Sequence, residues 1–144
     1  MSVEIYSIAP NDLTQCVYVE SGISAGFPSP ADDFSGEKLS LDEKLIKNKE
    51  ATFYARVKGD SMINAGISDG DLLMVDRSLP VKHNDIAVCF LEQEFTVKRI
   101  HIANNQVSLF PENENYPVLK VSNLDDFVVW GVVTYVIKSI YFKD

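Results

Sequence analysis

Phe53-Tyr54-Ala55-Arg56-Val57-Lys58 alternates Phe53, Ala55 and Val57 with Tyr54, Arg56 and Lys58, the period of a strand with one buried face. Runs rich in Val, Ile and Phe follow at 71–76, 85–91, 94–102, 106–110 and 127–137. Asp69-Gly70, Glu92-Gln93 and Asn104-Asn105 lie between runs and have turn chemistry. Several short strands at close spacing predict a strand-dominated, mainly β body. The last run, FVVWGVVTYVIKSIYF from Phe127, is apolar on both faces, as in a central strand or a subunit interface. Gly131 within it suits a bulge or a bend. Upstream, Ser40 followed by Glu43 is a capping box, and Leu41, Leu45 and Ile46 add an apolar stripe. One short helix is predicted there.

The chain has 144 residues, 46% hydrophobic and 24% charged, which fits one globular domain with a short appended arm. Its 13 basic and 21 acidic residues are unevenly spread. Glu4, Asp12, Glu20, Asp32, Asp33 and Glu37 precede the first Lys or Arg. Residues 21–36, SGISAGFPSPADDFSG, have linker composition. The division expected is an N-terminal arm at 1–36 and a body at 37–144. No apolar run is long enough to span a bilayer, and the first residues have no basic, apolar leader pattern. Cys16 and Cys89 make no disulfide framework, so a cytoplasmic location is expected. A net charge of −8 argues against direct DNA binding, which needs a basic surface.

Ser61 is the first candidate for chemistry. It follows a strand and a Gly59 turn and opens the stretch Met62-Ile63-Asn64-Ala65-Gly66. A serine at the start of a helical turn has free amides beside its hydroxyl, a setting for an oxyanion, but serine is also a favoured N-cap. His83 and His101 are the only histidines, and neither has a context that marks it as the serine's base. Lys98 lies in Phe95-Thr96-Val97-Lys98-Arg99-Ile100, sharing a strand face with Thr96 and Ile100. Burial of its amine would lower its pKa and make it a general base; a solvated strand lysine is the alternative. The two histidines and two cysteines have no metal-ligand spacing, and no nucleotide-binding loop is present, so neither metal nor cofactor is expected. Trp130 and Tyr135 read as core or dimer packing, and Cys89 as a small core residue.

The segment KGDSMINAGISDGDLLMVDRSLPVKHNDIAVCFLEQEFTVKRI, from Lys58, resembles the LexA and UmuD family of self-cleaving serine peptidases. Three features carry the resemblance in order: Gly59-Asp60-Ser61-Met62 leading to Asp69-Gly70-Asp71, the Glu94-to-Arg99 strand with its lysine, and Pro111-Glu112-Asn113-Glu114-Asn115-Tyr116-Pro117, a P-x-N-x-x-Y loop. Upstream lies Ala25-Gly26-Phe27-Pro28-Ser29-Pro30. The resemblance implies a catalytic β-fold with one short helix and a mobile N-terminal arm. It implies Ser61 as nucleophile, Lys98 as general base and Ala25-Gly26 as the scissile bond. Ala25 follows the Ala-Gly pattern of LexA, where UmuD has cysteine before the bond.

Only 25 residues precede the bond, and none is basic, so a DNA-reading repressor of the LexA type is not expected. The resemblance is to the short UmuD-like members. It implies a homodimer of the bacterial SOS response, cleavage stimulated by a RecA–single-stranded-DNA filament, and a shortened product that serves a Y-family translesion polymerase. The alternative of another class is a non-cleaving dimeric subunit that binds the polymerase. A membrane-bound signal peptidase shares Ser-Lys chemistry, but no membrane anchor is expected here.

Overall fold

The structure is a computed structural model, and it describes residues 1–8, 15–17, 38–122 and 127–142. Its strands are β1 (Ser2–Ser7), β2 (Gln15–Val17), β3 (Lys38–Ser40), β4 (Thr52–Lys58), β5 (Leu72–Asp76), β6 (Ile86–Leu91), β7 (Glu94–Ala103), β8 (Gln106–Phe110), β9 (Leu119–Lys120) and β10 (Phe127–Ile137). The short helix α1 spans Leu41–Leu45. The mainly β expectation with one short helix is met among the described residues, and the five runs after β4 become strands with ends within a residue of those expected.

Eight strands form one antiparallel sheet in the order β1-β4-β5-β10-β6-β7-β8-β9. Ser2 of β1 also pairs with Thr96 of β7, so the sheet returns on itself. Closure leaves few free strand edges. Residues Met1–Ile8 and Glu50–Asp144 make one compact unit and Ala9–Lys49 a second. The first unit therefore includes β1, which the sequence reading counted in the arm. In the second, β2 pairs with β3, and the Ser40 hydroxyl caps α1 by accepting the Glu43 N–H at 3.5 Å. Ala25 and Gly26 lie outside the described residues.

Alternation explains most of the ring. In β4, Ala55 and Val57 are buried and join Leu73, Val75, Val88 and Val97 in one apolar cluster. Ala87, Cys89, Ile100 and Leu109 form a second. Neighbouring residues of β6 and β7 thus serve different clusters, and both faces of these strands are covered. Val3 and Ile5 of β1 pack on the first cluster.

Turn chemistry sets the connections. Gly70 has φ +89°, and the pairs Glu92-Gln93 and Asn104-Asn105 have positive φ at both residues, as two-residue hairpin turns require. The β10 register shifts between Val129 and Gly131, the irregularity expected at that glycine. A Cβ on Gly131 would come within 2.6 Å of Val75 Cγ1, so β10 and β5 approach closely there. Trp130 packs edge-on against Phe53 and Phe95, with the Arg77 guanidinium 4.5 Å over its ring. That is core packing, as anticipated. Beyond β10, Ile140, Tyr141 and Phe142 are 93%, 85% and 74% exposed. Among the described residues no helix is long and apolar enough to cross a membrane.

Candidate active site

The turn after β4 positions Ser61. Gly59 adopts φ +100°, a conformation that costs glycine little, and its N–H donates to Asp69 Oδ1 at 2.7 Å. Met62 is wholly buried and fastens the turn to the core. A single 3₁₀ turn, Ile63–Ala65, follows with Met62 at its cap and no side-chain cap bond. The N-cap role open to Ser61 is therefore not taken. Its side chain is fully buried, and Oγ has no hydrogen-bond partner among the described residues. Leaving a buried hydroxyl unpaired costs about 1–3 kcal/mol, and such exceptions in a native fold call for a reason.

Lys98 stands in β7 opposite Ala87 and is only 7% exposed, which removes the solvated alternative. Burial holds its amine below the usual lysine range, with the nearby Cys89 thiol opposing weakly. It forms no ion pair among the described residues. An amine with no carboxylate to stabilise its charge is disposed to lose its proton. Burial also pushes the Cys89 thiol up to about 12, so Cys89 is a core residue rather than a nucleophile.

Both residues lie at the end of the ring that β1 closes. Ser2 pairs with Lys58, just before the serine turn, and with Thr96, just before Lys98. The Met1 amino group is held below its ordinary range chiefly by burial and then by Lys98, with Asp60 and Glu94 opposing, so it senses the turn and the strand together. The histidines are engaged elsewhere. His83 Nδ1 accepts the Ile102 N–H at 3.0 Å, and His101 stacks on Phe110 with ring centres 3.7 Å apart. Among the described residues, no three His, Cys, Asp or Glu side chains converge as a metal site.

The loop at 111–117 has a role that the sequence reading missed. Asn113 Nδ2 donates to the Asp60 carbonyl at 2.9 Å, while its Oδ1 accepts the Asn115 N–H at 2.9 Å. The Tyr116 hydroxyl donates to Asp60 Oδ1 at 2.5 Å, a bond that raises the phenol pKa. The Asn64 N–H donates to the Glu112 carbonyl at 2.8 Å, and the Glu112 carboxylate pairs with Arg99. The loop thus ties the serine turn to the strand of the lysine. Its P-x-N-x-x-Y pattern was the available signal, but pattern alone does not name Asp60 as the residue held.

Residues 17–134 match the Peptidase S24-like family. Over 114 residues the chain is 43% identical to Protein MucA of Salmonella typhimurium, covering 78% of this chain and 77% of MucA. It is 40% identical over 113 residues to Protein ImpA of Shigella flexneri, covering 78% and 77% of the two chains. The LexA repressor of Clostridium kluyveri is 40% identical over 101 residues, covering 70% of this chain and 50% of the repressor. With the matched span taking in the serine turn, the lysine strand and the loop that joins them, the chain belongs to the Peptidase S24-like family of self-cleaving proteins related to LexA and UmuD.

Proposed function

We propose that this chain is a one-shot serine peptidase that cuts its own Ala25-Gly26 bond with Ser61 and Lys98. The observation that carries the reading is a buried Ser61 hydroxyl at the same end of the ring as a buried lysine, the hydroxyl without a hydrogen bond and the amine without an ion pair among the described residues. Ser61 Oγ attacks the Ala25 carbonyl carbon as its proton passes to neutral Lys98 Nζ. The tetrahedral oxyanion is met by backbone amides around Ser61. The intermediate collapses when Lys98 returns the proton to the Gly26 nitrogen, which leaves as an amine. Water then attacks the Ala25–Ser61 ester with Lys98 again as base, freeing the serine and an Ala25 carboxylate. Ala25 presents a small side chain, and Gly26 has no Cβ to obstruct the attack.

A tethered bond makes the attack effectively unimolecular, so a modest dyad suffices. Docking the arm over the site removes the last exposure of Lys98 and drives its proton off, so substrate entry and base activation come together. A RecA–single-stranded-DNA filament need only favour the docked state. The shortened cytoplasmic product then serves, as a homodimer, a Y-family translesion polymerase. Membership of the family related to LexA and UmuD supports this setting. The exposed Ile140, Tyr141 and Phe142 support an interface between copies, which the non-cleaving polymerase-binding subunit would share.

The test is self-cleavage of purified protein from pH 7 to 11, with fragment masses, beside Ser61→Ala and Lys98→Ala. The expected result is a fragment ending at Ala25, formed faster as pH rises, with both variants inert. A wild type that stays intact even with the filament present would leave the binding subunit as the better reading.

A further inference from the structure

The strand β1 lies upstream of the bond proposed to be cut, yet it belongs to the ring downstream of that bond. It pairs in unbroken register with β4, from Ser2 opposite Lys58 to Ser7 opposite Phe53. Val3 and Ile5 press on the cluster that contains Ala55, Val57, Met62 and Val97. Between them Glu4 reaches outward to an ion pair with Lys58 at 2.6 Å. A cut at Ala25-Gly26 severs the covalent link between this strand and the body, leaving the upstream fragment held by the pairing of β1 with β4, the three-residue pairing of β2 with β3, and these few side chains. A short peptide so held has lost the tether that kept it at high effective concentration.

We infer that β1 is a detachable strand, and that its departure after cleavage opens the outer edge of β4 as an acceptor for an extended strand of a partner protein. The inference rests on the proposed Ala25-Gly26 cleavage. Departure frees the backbone N–H and C=O groups that β4 turns toward β1 between Phe53 and Lys58 and uncovers an apolar strip, the two features that strand addition uses. The pattern of β1 states the chemistry of the occupant. It is an extended segment with apolar residues two apart, which enter the places of Val3 and Ile5, and an acidic residue between them to meet Lys58. In the uncut chain the same edge is filled by β1, so cleavage is the step that licenses docking. Departure also removes Ser2 from between Lys58 and Thr96, which opens the ring beside Ser61 and Lys98.

The test uses the full chain carrying Ser61→Ala, with a recognition site for an exogenous protease placed over residues 19–25, so that cutting does not depend on the dyad. The probe is a labelled peptide of residues 1–8, MSVEIYSI. After cutting, native mass spectrometry should show loss of the upstream fragment, and exchange of the β4 amides that face β1 between Phe53 and Lys58 should accelerate at least about tenfold as the edge hydrogen bonds open. The cut body should then bind the peptide at least about tenfold more tightly than the uncut chain, and Val3→Glu/Ile5→Glu in the peptide should abolish binding. A fragment that stays bound under native conditions overturns the inference. So do unchanged exchange in β4 and equal peptide uptake by cut and uncut chains. Should these results appear while the unaltered chain never cuts itself, detachability stands and self-cleavage alone falls.

Discussion

Ser61→Ala should make this protein more stable while abolishing its cleavage. The hydroxyl is wholly buried and its Oγ has no partner among the described residues, so the folded state bears a desolvation cost that the unfolded chain avoids. That cost is about 1–3 kcal/mol for a neutral hydroxyl. Removing the oxygen leaves a void of roughly 10–15 Å³, which at about 24 cal/mol per Å³ returns only about 0.3 kcal/mol. The net gain is therefore roughly 0.7–2.7 kcal/mol. For a chain of 144 residues, an unfolding entropy of about 2.1 cal/mol/K per residue converts this to a rise in Tm of roughly 2–9 °C. Urea and thermal melts at pH 6.5, the acid side on which a neutral amine is least available, are the assay, with fragment masses to verify that the wild type stays whole. A loss of stability in Ser61→Ala would refute the reasoning: it would mean that the hydroxyl is satisfied in solution and that Ser61 is an ordinary structural serine.

Three further outcomes follow from the same geometry. The folded-state pKa of Lys98 is lowered by burial, so its charge costs stability fully below that pKa, and the cost vanishes as pH rises to the ordinary value of 10.5. Lys98→Met should thus be more stable than wild type at pH 7 in urea melts, with the gap closing toward pH 10.5; a wild type more stable at pH 7 would reveal a hidden acidic partner. Tyr116→Phe removes the donor to Asp60 and should slow self-cleavage about five- to thirtyfold, with Tm nearly unchanged. Adding it to Asp60→Ala should slow cleavage no further, whereas Asp60→Asn, which keeps the acceptor, should retain most of the rate; additive losses that track Tm would reduce the contact to general stability. Gly131→Ala sets a Cβ 2.6 Å from Val75 Cγ1, and thermal melts should show a loss of about 1–3 kcal/mol, whereas an unchanged Tm would mean that β10 and β5 stand further apart.

The strands from β4 to β8 were legible because their alternation is local and their turns carry residues that tolerate positive φ. β1 escaped notice although Val3 and Ile5 alternate with polar neighbours. It sits in an acid-only segment, and its partner β4 is about fifty residues away, a pairing that no local signal specifies. Ser61 shows another limit. An N-cap serine and a nucleophilic one look alike in sequence, and only the burial of Met62 and the later start of the 3₁₀ turn separate them. Lys98 was ambiguous for a similar reason, since its exposure depends on both faces of β7 being covered, which follows from ring closure. Asp60 was invisible because its importance lies in what reaches it from a loop more than fifty residues on.

An unpaired buried hydroxyl and an unpaired buried amine are each destabilising, and one methyl group or one methionine would relieve either. A fold that keeps both must hold them with structure that is indifferent to their cost. Here that structure is identifiable: Met62 and Val97, the immediate neighbours of the two residues, sit fully buried in one apolar cluster, so the strain is borne by contacts made one residue away. The loop at 111–117 adds a polar brace from Asp60 to Arg99 outside that cluster. Neither support involves Ser61 Oγ or Lys98 Nζ, and among the described residues Oγ has no hydrogen bond and Nζ no ion pair. Preorganisation of this kind suits a reaction performed once per chain, since the site must await a single tethered bond rather than release and rebind substrate. It also explains why the ring's closure by β1 sits at this end. On the proposed cleavage, the strand that would leave with the arm is the one that joins β4 to β7, so the cut would dismantle the arrangement proposed to make it.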